Sequence, residues 1–368
     1  MPEFGISVYP EREKQEETYA YLKMAGEYGF KRVFTCLLSV KEDREEIIET
    51  FTQFCDKAHE SGLRVSVDTN PEVFKKLEAS PLDLKVFKQM GVDIIRLDGH
   101  FSQMEDVEIT KNPYNIKIEY NASSTINLDY MINRYGANRH NMCICSNFYP
   151  QRYTGMGLNR FKELNELYKP LGLNNAAFVS SNEKDTHGPW EVYEGLCTLE
   201  IHRGLPIDVQ ARHLIALGYN DDILVGNAFA SKEELETLSH INPNKLTMKV
   251  DIEDISEAER KIIEYPYHSQ RDDCNELLVR SSMPRVVFKN ESIERRRNNH
   301  QKYHKGDVLI INNELKHYMG ELIIVTSEIE ALDYYNYVGH LNDAEQLILD
   351  CIKPGGSFVL EVRNGKSY

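Results

Sequence analysis

Four carboxylates stand where short runs of apolar residues meet polar ones. They are Asp68 after Ser66-Val67, Asp98 after Arg96-Leu97, Glu119 in Ile116-Lys117-Ile118-Glu119-Tyr120, and Glu200 in Thr198-Leu199-Glu200-Ile201-His202-Arg203. Near the ends of similar runs stand Ser7, Tyr9, Asn121, Asn147, Tyr149 and Asn227. Convergent carboxylates among amides and hydroxyls suit carbohydrate chemistry. One carboxylic acid protonates the leaving oxygen while another carboxylate attacks carbon or activates water. Arg96 and Lys117 could keep one carboxylate ionised while its neighbour stays protonated. Each residue also has a plainer reading. Asp68 and Asp98 could be helix caps at strand exits, Glu200 a solvated carboxylate at a helix start, and His202 and Arg203 structural groups. Glu119 is harder to dismiss, because glutamate is a poor cap and is costly to bury without a partner. Asp98 and Glu119 are therefore the first choice for the acid and the nucleophile or base, their order left open, with Asp68 and Glu200 in reserve.

The elements that position these residues follow a regular rhythm. Strand-like runs at Gly5–Tyr9, Arg32–Leu38, Arg64–Asp68, Asp93–Asp98, Ile116–Tyr120, Met142–Asn147, Ala176–Ser180 and Ile223–Asn227 alternate with helical patterns. The helices are expected at Lys14–Tyr28, Glu42–Ser61, Pro81–Met90, Asn127–Tyr135, Leu158–Tyr168, Ile207–Leu217 and Lys232–Leu238, with Ser61-Gly62 a stop signal. Eight strand–helix units imply a parallel sheet closed into a (β/α)8 barrel, whose active site lies at the C-terminal strand ends. Counting by two puts Ser7/Tyr9, Ser66/Asp68, Arg96/Asp98, Lys117/Glu119/Asn121 and Cys145/Asn147/Tyr149 on the inner face. After Pro243 the rhythm changes. Short strands are expected at Lys249–Asp251, Leu277–Arg280, Val286–Phe288, Asp307–Ile311, Glu321–Val325 and Ser357–Glu361, with one helix at Asp343–Asp350. This pattern implies a small β-rich barrel or sandwich. The expected domains are thus residues 1–243 and 244–368.

Composition excludes several partners. A net charge of −15 repels a nucleic acid backbone, and no apolar stretch reaches the roughly 20 residues a membrane span needs. The N-terminus lacks the basic and apolar regions of a signal peptide, so a cytoplasmic location is expected. The seven cysteines are scattered and read as reduced thiols, with no zinc-like spacing. Other barrel chemistries find little support. A Schiff-base aldolase would have only Lys117, a metal hydrolase only His100, and a pyridoxal-phosphate racemase would need lysine where Tyr9-Pro10 stands. No cofactor or metal is required. A barrel lyase or aldolase on another phosphorylated sugar, and a non-catalytic peptide- or sugar-phosphate-binding scaffold, remain as alternatives.

Over nearly its whole length the chain resembles the bacterial 6-phospho-N-acetylmuramidase family, a TIM barrel followed by a cyclophilin-like domain. The resemblance is carried by Gly5-Ile6-Ser7-Val8-Tyr9-Pro10, Gly29-Phe30-Lys31-Arg32-Val33-Phe34-Thr35, Arg96-Leu97-Asp98-Gly99, Asn147-Phe148-Tyr149-Pro150, Thr154-Gly155, Gly188-Pro189, Glu194-Gly195-Leu196 and the Thr198–Arg203 string. In the second domain it is carried by His268, Arg271, Arg280-Ser281, Gly306-Asp307 and Gly320-Glu321-Leu322. Cys197 stands where the pattern has proline, and Asn312-Asn313 where it has Asp-Asn. The resemblance implies cleavage of 6-phospho-N-acetylmuramyl-β-1,4-N-acetylglucosamine to N-acetylmuramic acid 6-phosphate and N-acetylglucosamine in peptidoglycan recycling. A phosphorylated substrate calls for arginine. Arg271 and Arg280, with His268 and Ser281, are the candidates, on the expectation that the second domain reads the phosphate. The plainer reading pairs Arg271 with Asp272 or Asp273, and leaves Arg295-Arg296-Arg297 as a solvated loop.

Overall fold

The computed structural model describes residues 2–297 and 299–363. Strands β1 (Glu3–Ser7), β2 (Arg32–Cys36), β3 (Arg64–Thr69), β4 (Ile94–Leu97), β5 (Lys117–Asn121), β6 (Met142–Cys145), β7 (Asn174–Val179) and β8 (Asp222–Val225) alternate with helices. Each strand pairs with the next and β8 pairs in parallel with β1, closing a (β/α)8 barrel. The helices begin and end on local chemistry. Asp43 accepts from the Glu46 backbone N–H to cap Arg44–Glu60, and Gly62, at φ +77°, turns the chain just past its end. Ser231 and Glu234 form a capping box on Lys232–Ser239.

The barrel interior is layered. Near the N-terminal strand ends, Arg32 is fully buried between Glu119 and Asp222, its amino groups 2.6 and 3.0 Å from the two carboxylates. It also donates to the Ser66 hydroxyl at 2.8 Å. Two residues further along β2, Phe34 meets Phe178 edge-on at 5.2 Å. Together with Cys145, Ala176 and Leu224 these rings make an apolar layer. Burying each ring stabilises the fold by about 2 kcal/mol.

The chain divides into two compact units. One holds residues up to Leu214 and Gly218–Ile241, the other Ile215–Leu217 and the residues from Asn242 onward. The second unit is built on β9 (Thr247–Ile252), β10 (His268–Ser269), β11 (Leu278–Ser281), β12 (Lys302–Tyr303), β13 (Asp307–Ile311), β14 (Leu322–Val325), β15 (Ile329–Glu330), β16 (Tyr335–His340) and β17 (Ser357–Val362). Seven of these form one sheet in the order β10-β17-β9-β16-β13-β14-β11, and β12 pairs with β15. Alternation along β13 and β14 buries both faces. Val308, Ile310, Leu322 and Ile324 enter one core, and Leu309, Ile311, Ile323 and Val325 another. The sheet curls until its edge strands meet through side chains. His268 Nδ1 lies 2.9 Å from Ser281 Oγ, and Gln270 bonds the backbone of Leu278 and Arg280. Val286–Phe288 is not a strand, because Pro284 starts a single helical turn at Met283–Val287. No helix in the described residues is long and apolar enough to cross a membrane.

Candidate active site at the barrel mouth

Asp68, Arg96, Asp98 and Asn147 come together where β3, β4 and β6 end. Asp68 Oδ1 lies 2.5 Å from Arg96 Nη1, and Asp98 Oδ1 lies 3.4 Å from the same nitrogen. The other amino group of Arg96 donates to Asn147 Oδ1. Asp68 is buried, whereas the Asp98 side chain is 43% exposed. Burial pushes the Asp68 carboxyl up to about 6. Arg96 opposes that shift, and the Asp98 charge adds to it. Two carboxylates on one guanidinium leave one negative charge in excess, so binding a single proton neutralises the group.

The other expected residues are held by neighbours of their own. Glu119 is fully buried in the Arg32 ion pair. Lys117 opens β5, at the opposite barrel end from the mouth, and its Nζ donates to the His140 carbonyl. The Tyr9 hydroxyl is also spoken for, donating to the Gly226 carbonyl at 2.6 Å, and Ser7 is fully buried. His202 is sealed against His213 at 2.8 Å. Asn121 accepts from the Ser123 N–H, and the Tyr149 carbonyl accepts from Arg203. Asn227 is fixed in both directions, its amide bonding the N–H and the carbonyl of Ser181.

Sequence reasoning passed over the loop after β1. Glu11 accepts from the Ser39 hydroxyl at 2.6 Å, and burial raises its carboxyl above the ordinary range. Glu13 accepts from the Tyr9 N–H and the Thr18 hydroxyl, and lies 3.1 Å from His187. Both carboxylates fall just past a strand end, where barrel chemistry gathers. Their pattern reads as the acidic start of a helix, which hid them.

A cavity of about 640 Å³ opens on the β7–β8 side of the mouth. Tyr153, Tyr193, His187, Ser181 and Asn227 are among its lining residues. Glu200 borders it as a clamp. Its two oxygens accept from the Tyr153 and Gly155 N–H groups at 2.8 and 2.7 Å, and Arg203 grips both oxygens at 2.8 Å. These bonds hold the Glu200 carboxyl down at about 2.

In the second unit, Glu321 is fully buried and paired with Arg280 at 2.7 Å and with Arg285 at 3.5 Å. Arg285 also lies over the Tyr318 ring, 5.1 Å from its centroid. Arg271 forks onto Asp273 at 2.6 and 2.7 Å. Gln270 Oε1 accepts from the N–H groups of both Arg271 and Arg280, tying those two arginines together. His268 and Ser281 are buried and bond each other, and burial lowers the imidazole to about 4. Both face inward, away from any ligand in solvent. Arg285 was missed because Met283-Pro284-Arg285 carries no strand or motif signal. Among the described residues no cluster of His, Cys, Asp or Glu could hold a metal ion.

Fold and mouth together define a (β/α)8-barrel protein with carboxylates at its C-terminal strand ends and a β-rich second unit. The chain belongs to the 6-phospho-N-acetylmuramidase family. The model of that family's N-terminal part matches residues 4–240, and that of its C-terminal part residues 246–361. The family name denotes a glycosidase. A crystal structure of an uncharacterized B. cereus protein is 37% identical with a TM-score of 0.90, covering 98% of this chain and 100% of that one. A conserved Enterococcus faecalis protein of unknown function is 26% identical with a TM-score of 0.71, covering 98% of this chain and 96% of the other. No curated protein matches the chain.

Proposed function

We propose that this protein is a glycoside hydrolase cleaving the β-1,4 bond of 6-phospho-N-acetylmuramyl-N-acetylglucosamine inside the cell, in peptidoglycan recycling. The observation that carries the reading is the Asp68–Arg96–Asp98 arrangement, with one buried protonatable carboxyl and one exposed carboxylate on a shared guanidinium. Asp68 donates its proton to the glycosidic oxygen as the C–O bond breaks. The Asp98 carboxylate attacks the anomeric carbon, forming a glycosyl ester. Asp68 then takes a proton from water, which displaces Asp98 and yields N-acetylmuramic acid 6-phosphate. Oxygens 2.5 and 3.4 Å from one nitrogen are at most about 6 Å apart. That bound on the nearest pair of oxygens is compatible with the retaining geometry of roughly 5–5.5 Å between carboxyl groups. The Arg271–Arg280–Arg285 cluster is the proposed phosphate reader.

Assaying the purified protein on the disaccharide with and without its 6-phosphate tests this. Release of N-acetylglucosamine from the phosphorylated form alone, lost in Asp98→Asn with an unchanged melting temperature, is the expected result. Cleavage of neither form overturns the substrate assignment.

A further inference from the structure

Tyr153 is held in an arrangement that folding does not call for. Its backbone sits at φ +68°, a left-handed conformation that costs a bulky residue. Its side chain is left 85% exposed, and it makes no ring contact among the described residues. A protein gains nothing in stability from an aromatic ring standing in water on a strained backbone. Yet the turn is fixed rather than loose. Glu200 accepts from the N–H groups on either side of Thr154, and Arg203 grips both Glu200 oxygens. Gly155 completes the clamp, since a Cβ there would lie 2.4 Å from Glu200 Oε2. The same cavity is bordered by Tyr193, half exposed, whose hydroxyl accepts from Arg12 at 2.6 Å. Two anchored tyrosines thus border a concave space of about 640 Å³ with amide and hydroxyl groups between them. That volume is the size of a small-molecule site.

The geometry points to Tyr153 as a stacking platform for a pyranose ring, an N-acetylhexosamine, bound in this cavity. A pyranose presents C–H groups on one face and hydroxyls around its edge. The negative face of an aromatic ring attracts the first, and the exposed Asn182 amide and the Thr186 hydroxyl on the cavity lining suit the second. The strained turn aims the ring and Glu200 fixes it, so little ordering remains to be done on binding. The choice of an N-acetylhexosamine rests on the hydrolase reading above, whereas the platform itself rests on the turn and the cavity.

The test is titration of the full-length protein with N-acetylglucosamine, followed by NMR, for wild type, Tyr153→Phe and Tyr153→Asn. Asparagine accepts the left-handed backbone readily, so the second variant removes the ring without adding strain. Expected is unchanged binding in the phenylalanine variant. The asparagine variant should bind about three- to tenfold more weakly, with a melting temperature at or above wild type. Equal affinities in all three proteins, or no binding to wild type, overturn the platform. Turnover of the phosphorylated disaccharide separates the two ideas. Weakened binding in Tyr153→Asn with no cleavage by wild type keeps the platform and sinks the hydrolase. Normal cleavage with KM unchanged in Tyr153→Asn does the reverse.

Discussion

At the scale of single residues, the mouth is governed by how one arginine divides itself between two aspartates. Asp68 is buried and its carboxyl is raised to about 6, whereas Asp98 reaches solvent. An acid catalyst must carry its proton at the start of the reaction. With Asp68 in that role, kcat/KM should fall as pH rises through about 6 and its proton is lost, approaching tenfold per pH unit. A pH–rate profile measures this, and a rate that climbs through the same range would make Asp68 the base instead. The sequence showed which carboxylates end up inside the barrel, because alternation along a strand is local information. Depth was not legible. Glu119 has the right parity but reaches the layer where Arg32 and Asp222 sit, and those partners lie 87 and 103 residues away in the chain. The long-range pair satisfies the very objection, a costly buried glutamate, that had favoured a catalytic role.

At the scale of elements, turns carry much of the functional geometry, and Glu200 shows how. Its sequence context reads equally as a solvated carboxylate or a catalyst, and the structure makes it the anchor of the turn at Tyr153–Gly155. Because its carboxyl is held near 2 rather than at its ordinary 4.5, its contribution to stability is full above about pH 4.5 and is lost as pH falls toward 2. Replacing Glu200 by Gln removes charge-assisted bonds and should cost about 2 kcal/mol at neutral pH. Urea unfolding of the two proteins at pH 7 and pH 3 checks this, since their difference should shrink at the lower pH. A difference that stays constant would show that the charge is not what anchors the turn. Regular elements were easier to read than turns. The eight barrel strands announced themselves as short apolar runs, most of them rich in β-branched residues and regularly spaced. The strand Tyr335–His340 did not, because Tyr-Asn-Tyr-Val-Gly-His buries Asn336 and includes a glycine. Val286 and Val287 misled in the other direction, since a proline start turned a β-like pair into one exposed helical turn.

At the scale of the whole molecule, a net charge of −15 sets a problem for any phosphorylated substrate. A sugar phosphate with roughly two negative charges is repelled by the surface at large, so affinity must come from a local concentration of guanidinium groups. The second unit supplies one, and Glu321 explains why it does not scatter. A single buried carboxylate draws Arg280 and Arg285 to the same place, each side chain remaining between about a quarter and a third exposed. Three arginines against Glu321 and Asp273 leave one positive charge over, available to an anion. Truncating Arg285 removes one fork while leaving Glu321 paired with Arg280, so the fold should survive. If the cluster reads the phosphate, Arg285→Ala should raise KM for the phosphorylated disaccharide roughly tenfold with kcat little changed, the mark of lost uniform binding. Kd for the unphosphorylated disaccharide, read by NMR titration, should stay where it was. Measuring both sugars is what gives the experiment its force. A general weakening of the protein would shift the two together, whereas a phosphate reader shifts only one. An unchanged KM for the phosphorylated disaccharide in the variant would mean that the arginines serve Glu321 and the second unit's own stability, and that the phosphate is met elsewhere.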